Sequence, residues 1–416
     1  MNAKLQLVTQ NDPPCNNDRE EKGMEVLLER CCGLDVHKDI VQACILVSGE
    51  EMAALHESFG SIRSELSRMC MWLKENHCMN VAMESTGVYW LPIFDQIEEE
   101  IPEIQTLMVV NPAHMRNLPG RKSDVKDAEW IAQLLQHGLL SKSFIPDKDV
   151  RIMREISRYR IGYVNERTRA INRLEKFLQR HGFRLSSVMN SIVGVSGLKV
   201  LDVLSKKGML TLDDVRMCSY RNLKRKPEEI YAAINGKLNE MERVLLSELL
   251  DWIRKLDEKI SRFDAMLEEA SKAYEGHLAI AKSIPGINQD SALAILAEIS
   301  PTPQQDFSTA SRLCSWAGLV PRNDESAGKI KSRKILHGNP YVKSMLVQCA
   351  WGAVKCRSSE FAKWFWVRQG RIGQKKAIIA VARKILSLLY LLLQTGQLYD
   401  PTKQVHLPSK AAPASA

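Results

Sequence analysis

Two aspartates, Asp124 and Asp127, stand three residues apart in the segment SDVKDAEW, within a chain whose formal net charge is +9. Residues i and i+3 share one face of a helix, with Cβ atoms about 5–6 Å apart. Carboxylates at that separation repel each other unless a cation lies between them, and hard cations such as Mg²⁺ take oxygen ligands. A purely structural explanation competes, because Asp at the N-cap and at N3 gives a capping-box-like start to a helix.

Acids at two strand ends favour the metal explanation. Asp35 lies in GLDVHKD, at or near the end of the first apolar strand, and Glu84 ends the apolar strand in VAMEST. Reactive groups of α/β sheets gather beyond strand ends, where no capping rule places acids. Divalent ions would offset the repulsion of four clustered carboxylates, and two metals about 3.5–4 Å apart can drive phosphoryl transfer. The four acids therefore predict a site for Mg²⁺, with Mn²⁺ as the alternative ion.

The elements that would position these acids are alternating strands and helices. Between residues 25 and 144, apolar strand segments such as NVAMES and IQTLMVVNP alternate with amphipathic helical segments such as SIRSELSRMCMWLKENH. Such alternation predicts an α/β domain with a sheet that is at least partly parallel. We expect a flexible arm at residues 1–24.

The rest of the chain is predicted to be helical. Residues 145–268 hold an arginine-rich helix and then an apolar stripe, Leu238 to Leu267, that steps by three and four in the manner of a coiled coil. Packing within one chain and a dimer seam both explain the stripe. Residues 269–399 are expected to form a mainly helical C-terminal domain, followed by a disordered tail at 400–416.

Composition limits the class of protein. The positive net charge favours a polyanionic partner. No stretch reaches about 18 uncharged apolar residues, so no membrane span is expected, and ILSLLYLLL at 385–393 is too short. The ten cysteines contain no CxxC pair, which predicts reduced thiols in a cytoplasmic protein.

Several ordered segments resemble the IS110-type transposases. They are GLDVHKD, AMESTGVYW, VVNPAHMRNLPGRKSDVKDAEWIAQLL, SIPGINQDSALAILAEI and CSWAGLVPRNDESAGKIKSRKILHGNPYVKSMLVQCAW, and the resemblance covers most of residues 28–355. It implies a RuvC-like, RNase H-type N-terminal domain with a D-E-D-D metal site. The matching residues are Asp35, Glu84, Asp124 and Asp127.

The resemblance also implies a second, transposase-specific domain with a serine nucleophile, and Ser326 matches that serine. Two departures from the family segment are Ala327, in place of its first glycine, and Glu325, where a second serine is common. A serine hydroxyl needs a base or a metal to become a nucleophile. In the family, the two domains that share an active site come from different subunits, and a structured RNA encoded by the element specifies donor and target DNA. The implied partners are therefore double-stranded DNA, a guide RNA and further copies of the chain, as a dimer or tetramer.

Basic residues supply the expected contacts with nucleic acid. The predicted set is Arg121, Lys122, Arg154, Arg158, Arg167, Lys329, Lys331, Arg333, Lys334, Lys375 and Lys376. SIPGINQDSALAILAEI has the shape of a helix-hairpin-helix, whose second helix can present N–H groups to a phosphate. Trp364 and Trp366, beside basic residues, suit either stacking on unpaired bases or packing in the core.

The predicted function is that of a DNA transposase that cuts and rejoins strands through Mg²⁺ and Ser326. The first alternative is a RuvC-like nuclease that uses metal-activated water, with Ser326 uninvolved. The second is a helical nucleic-acid-binding scaffold whose acids are only helix caps. A covalent protein–DNA adduct separates the first two, and metal-dependent strand scission excludes the third.

Overall fold

The computed structural model describes residues 26–48, 53–85, 87–112, 124–219, 225–321, 324–326, 329–332, 334–335 and 337–402, with the backbone alone for 124–126, 324–326 and 329–331. The chain divides into two compact units, Met1–Ile145 and Pro146–Ala416. The predicted α/β region lies in the first unit, and the second unit is mostly helical. The finer boundaries predicted at residues 268 and 399 stay predictions.

The first unit is built on a five-stranded mixed sheet of order β3-β2-β1-β4-β5. Its strands are β1 (Arg30–Val36), β2 (Ile40–Val47), β3 (Ala53–Gly60), β4 (Asn80–Glu84) and β5 (Thr106–Val110), and its helices are α1 (Arg63–Glu75), α2 (Trp90–Glu100) and α3 (Asp124–Gln136). The first three strands pair antiparallel, whereas β4 runs parallel to both β1 and β5. The predicted partly parallel sheet is confirmed.

The two faces of this sheet are covered by different helices. Side chains of a strand alternate between faces, so β1 contributes Cys32 and Leu34 to one core and Cys31 to the other. The first core takes in α1 and α2, and the second takes in α3. The central strands are therefore buried on both sides, which explains their continuous apolar runs.

Helix α3 lies against β1 at unusually close range. A Cβ atom built on Gly33 would stand 2.1 Å from the carbonyl oxygen of Ala128, so no side chain fits there. Two residues earlier, the Cys31 thiol donates to the carbonyl of Ala132 at 3.3 Å. Moving forward along β1 thus moves backward along α3, and the two elements run antiparallel.

The second unit contains eleven α-helices and a short hairpin in the part that the structure describes. The helices are α4 (Lys148–Arg180), α5 (Val195–Lys207), α6 (Leu212–Cys218), α7 (Pro227–Ile234), α8 (Glu240–Ser271), α9 (Glu275–Ser283), α10 (Gln289–Ile299), α11 (Ala310–Trp316), α12 (Pro340–Lys355), α13 (Glu360–Ile372) and α14 (Gln374–Thr395). The hairpin strands are β6 (Asp324–Ser326) and β7 (Lys329–Ser332).

The two longest helices, α4 and α8, pack against each other within the chain. Arg160 pairs with Asp264 and Arg167 pairs with Asp257, so residue numbers rise along α4 as they fall along α8. The pair is therefore antiparallel, and packing within one chain accounts for the inward face of α8.

The inward face of α8 differs from the predicted stripe. Leu246, Leu250 and Ile253 are fully buried, whereas three members of the stripe are exposed: Met241, Leu245 and Trp252. The helix carries apolar residues on two faces. A stripe defined only by steps of three and four residues therefore includes residues from both faces, although only one face is buried. The coiled coil and the dimer seam stay predictions.

The C-terminal helices enclose a dense core around α10 and α14. Between α9 and α10, Gly286 has φ +91° and approaches α12 so closely that its Cβ would stand 2.3 Å from the Cys349 carbonyl oxygen. The close approach of Gly286 to α12 gives this turn a role in packing. Binding of DNA by the turn, as part of a helix-hairpin-helix, stays a prediction. Helix α14, at 22 residues, is long and apolar enough to cross a membrane, but 67% of its most apolar window is buried within the fold.

The hairpin leaves the helical core between α11 and α12. Pro321 forms an isolated bridge with Ile335, and beyond it β6 and β7 pair antiparallel with Ser326 opposite Lys329. At its base, a Cβ on Gly338 would stand 2.3 Å from the amide nitrogen of Gly318. The Gly-, Asn- and Asp-containing sequence of this stretch does not predict strands. The strands that form are only three and four residues long, too short to show in the sequence pattern.

Candidate metal-binding and catalytic site

Asp35 and Glu84 lie side by side on neighbouring parallel strands. The register that pairs Leu34 with Met83 brings these two acids together one residue further along both strands. By alternation, Asp35 faces the same side as Gly33, and Glu84 faces the same side as Ala82, which packs in the α3 core. Both carboxylates therefore face the side of the sheet that α3 covers.

The first turn of α3 lies along the same line. Between Cys31 and Gly33, the contact point on α3 moves from Ala132 to Ala128. Two strand residues span about 6.6 Å and four helical residues about 6 Å, so the steps match. One further step along β1 reaches Asp35 and brings α3 to Asp124, where the helix begins. The backbone thus places three acid-bearing segments at one edge of the sheet.

The environment of Asp35 suits a functional carboxylate. Its residue is only 6% exposed, and its Oδ2 atom lies 2.9 Å from Nε2 of His37, which is half exposed. Asp127, one turn into α3, is half-buried. Burial and the contact with His37 together hold the Asp35 carboxylate in a fixed orientation.

The donor set fits a hard divalent cation by its chemistry. Asp35, Glu84, Asp124 and Asp127 offer carboxylate oxygens, which are the ligands that Mg²⁺ and Mn²⁺ prefer. Among the side chains that the structure describes, no group of three or more His, Cys, Asp or Glu is arranged to hold an ion. The side chain of Asp124 lies outside that description.

Ser326 is the last residue of β6, next to the tip of the hairpin. The nearby Ser332 is half-buried, and its Oγ accepts a hydrogen bond from the backbone N–H of Lys334 at 3.2 Å. Ser332 therefore has a local structural role within the loop.

The predicted nucleic-acid contacts fall into distinct groups. Lys334, Lys375 and Lys376 are exposed, and Lys329 and Lys331 lie on β7. Arg121, Lys122 and Arg333 lie outside the described residues.

Three of the predicted arginines lie on α4 and make pairs within the chain. Arg167 donates to both carboxylate oxygens of Asp257. Arg154 and Arg158 both bind Glu298 or its backbone on α10. Contact of these three arginines with nucleic acid stays a prediction.

The carboxylate of Glu298 is a buried hub that the sequence prediction missed. Arg158 donates to its two oxygens at 2.7 and 2.9 Å, and the Asn339 amide donates to Oε2 at 2.6 Å. Burial disfavours the charged form of Arg158, but the hydrogen bonds and charge of Glu298 raise its pKa on balance. Burial lowers the pKa of Arg154 to about 10, with Glu298 opposing the change. A lone acid in the apolar run SALAILAEI was the available signal.

Asn339 connects this hub to the hairpin. Its Oδ1 accepts from the backbone N–H groups of Tyr341 and Val342 and so caps α12, directly after the residues that return from β7. One amide side chain therefore joins α10 to the start of α12, one residue beyond the glycine at the base of the serine hairpin.

Comparison with known families covers both units. A transposase model of the IS110 DEDD type matches residues 32–183, and a model described as "Transposase IS116/IS110/IS902 family" matches residues 278–365. The first match contains Asp35, Glu84, Asp124 and Asp127, and the second contains Ser326. Such enzymes act on DNA, and a DEDD domain indicates a dependence on divalent metal ions.

Two bacterial relatives extend the likeness along the chain. A protein named "Probable family 20 transposase" from Pseudomonas aeruginosa is 24% identical over 330 residues, covering 77% of this chain and 86% of its own length. The "Insertion element IS900 uncharacterized 42 kDa protein" of Mycobacterium paratuberculosis is 24% identical over 303 residues, covering 67% and 73% respectively. With family models matching more than half of its residues, the chain belongs to the IS110 family of transposases.

Proposed function

We propose that this transposase cuts and rejoins DNA with Mg²⁺ held by Asp35, Glu84, Asp124 and Asp127 and with Ser326 as the nucleophile. The observation that carries the metal part is the convergence of β1, β4 and the first turn of α3 at one sheet edge. Divalent ions bound there would neutralise developing charge on the phosphate and lower the pKa of an attacking hydroxyl.

The residues of the chain have separate tasks in this proposal. Asp35 and Glu84, fixed by strand pairing, hold ligand oxygens in place, and His37 orients Asp35. The Oγ atom of Ser326 bonds to phosphorus as the bond from phosphorus to one deoxyribose oxygen breaks, and that oxygen takes up a proton. A hydroxyl of a second DNA strand then attacks the same phosphorus and releases the serine.

The proposed partners follow from the family and from charge. Donor and target DNA are the substrates, a structured RNA from the same element selects them, and two or four copies of the chain assemble on them. The net charge of +9 and the exposed lysines, Lys334, Lys375 and Lys376, support binding to polyanions.

The deciding experiment compares two variants in two assays. Ser326→Ala and Asp35→Ala are incubated with the element's DNA, its RNA and Mg²⁺, and both covalent adduct and strand nicking are measured. We expect Ser326→Ala to bind DNA but to form no adduct and no recombinant, because only the nucleophilic oxygen is lost. Asp35→Ala should neither nick nor form adduct.

Ser332→Ala is the matched control, since Ser332 belongs to the same hairpin and should retain most activity. Nicking by Ser326→Ala at the wild-type rate would establish the water-using nuclease instead. Nicking by Asp35→Ala would show that the acids at the ends of β1 and β4 take no part in strand cleavage.

A further inference from the structure

The inner face of α13 is fully used by the core. Phe361, Ala362 and Phe365 are at most 2% exposed, and the ring of Phe365 packs edge-on against Trp351 at 5.7 Å between centroids. Contacts of this face therefore fix the helix in the second unit. The outer face makes no core contacts with the part of the chain that the structure describes.

The outer face of α13 combines an exposed tryptophan with open backbone. Lys363, Trp366, Val367, Gly370 and Arg371 follow the i, i+3, i+4, i+7, i+8 spacing of one helix face, and all five are exposed. Trp366 is 61% exposed and Val367 is 78% exposed. A Cβ on Gly370 would have no atom within 4 Å, so a flat group can approach the helix beside the indole.

The sequence from this face into the start of α14 is basic. Residues 363–376 contain five cations and no acid: Lys363, Arg368, Arg371, Lys375 and Lys376. The Arg368 guanidinium is stacked over the ring of Trp364, 3.9 Å from its centroid, and the cations on or next to the outer face are Lys363, Arg371, Lys375 and Lys376. An apolar protein partner would have to desolvate these cations without compensation, whereas a polyanion would pair with them.

We propose that this outer face is a docking surface for unpaired nucleotides, with one base stacked on the indole of Trp366 and the adjoining phosphates bound by Arg371, Lys375 and Lys376. Stacking on an aromatic ring beside cations is how proteins hold single strands with little sequence preference. The occupant we assign is an unpaired stretch of DNA opened during strand exchange, because DNA is the substrate of this family. A loop of RNA shares the same chemistry and is the alternative that the test separates. The inference rests on the proposed nucleic-acid function but not on Ser326 or the metal site.

The test measures binding of the full chain to labelled single strands by fluorescence anisotropy. Oligo(dT), oligo(U) and a duplex of equal length are titrated into wild type, Trp366→Ala and Trp366→Phe. Loss of one stacked base should weaken single-strand binding about tenfold or more in Trp366→Ala, and Trp366→Phe should restore most of it. The duplex should be affected far less, and oligo(dT) should bind at least as tightly as oligo(U). Clearly tighter binding of oligo(U) would overturn the assignment to DNA.

Salt dependence separates stacking from phosphate contact. Trp366→Ala should keep the wild-type log–log slope, while Lys375→Gln with Lys376→Gln should reduce it by roughly 0.7 for each lost phosphate contact. Trp252→Ala, which removes an exposed tryptophan of α8, is the control and should bind normally.

Wild-type single-strand binding by Trp366→Ala would overturn the proposal. An altered oligomeric state with unchanged binding would overturn it as well and assign the face to a protein partner. These assays need no cleavage, so their outcome is separate from that of Ser326→Ala. Thermal unfolding confirms that the surface substitutions leave the fold intact.

Discussion

At the scale of single residues, Glu298 shows how a buried charge is tolerated. Its residue is 1% exposed, and its carboxylate is met by Arg158, Arg154 and the amide of Asn339. Such a charge is acceptable in a core only when its lone pairs accept hydrogen bonds. Removing it leaves the surrounding donors buried without a hydrogen-bond acceptor. The network therefore places a large part of the second unit's stability on one side chain.

We expect Glu298→Ala to lower the free energy of unfolding by about 3–5 kcal/mol, the cost of breaking a buried pair. Glu298→Gln should cost less, since its amide oxygen still accepts one hydrogen bond. Urea denaturation followed by circular dichroism measures both. Glu269→Ala, which breaks the exposed pair with Lys272, is the control and should leave the midpoint unchanged. Equal midpoints for both alanine variants would show that the hub is dispensable.

At the scale of elements, the positions of Asp35 and Glu84 at strand ends could be predicted, because the end of each apolar run is visible in the sequence. Apolar runs stop at Asp35 and Glu84, and alternation fixes the face that each side chain takes. The register of β1 against β4 could not be predicted, because register is set by contacts between residues far apart in the chain. Strand β3 was missed for another reason: it lies at the sheet edge and its sequence, AALHESFG, is largely exposed.

Gly33 sets the distance between β1 and α3, so its substitution tests the assembly of the site. In Gly33→Ala, the new methyl group would collide with the Ala128 carbonyl and push α3 outward. We expect a loss of about 1–3 kcal/mol in stability from overpacking, and a larger relative loss of metal-dependent nicking because the first turn of α3 moves away from Asp35.

Gly60→Ala provides the matched control, since the nearest atom to its Cβ would belong to the flexible Glu65 side chain, at 3.2 Å, and no backbone atom is among its nearest neighbours. Thermal unfolding and nicking at several Mg²⁺ concentrations distinguish the two effects. If Gly33→Ala nicks normally at low Mg²⁺, the close approach of α3 has no bearing on the site.

At the scale of the whole molecule, the described cysteines are protected by the fold. Eight of the nine are buried, and Cys356 is exposed. Burial is the main cause that raises the pKa of Cys31, Cys44 and Cys70 to about 12, so these thiols are almost wholly protonated at neutral pH. Since thiolate is the reactive form, buried cysteines should be inert while the chain is folded.

We expect iodoacetamide to label Cys356 first among these nine, with the other eight reacting only on unfolding. Peptide mass mapping at increasing times measures the order, and the same reaction in urea sets the upper limit for each site. Rapid labelling of Cys31 or Cys44 in the native protein would mean that the first unit opens readily.

The base of the serine hairpin has a consequence for how such enzymes diversify. Because Gly318 and Gly338 touch through their backbones, the chain leaves and re-enters the helical core at nearly one point. A loop whose two ends are already held together can change in length at little cost. Doubling its length costs only about 0.6 kcal/mol of loop-closure entropy, and the helices on either side need not move. Transplanting the whole segment between related chains is then a simpler route to altered chemistry than changing it residue by residue.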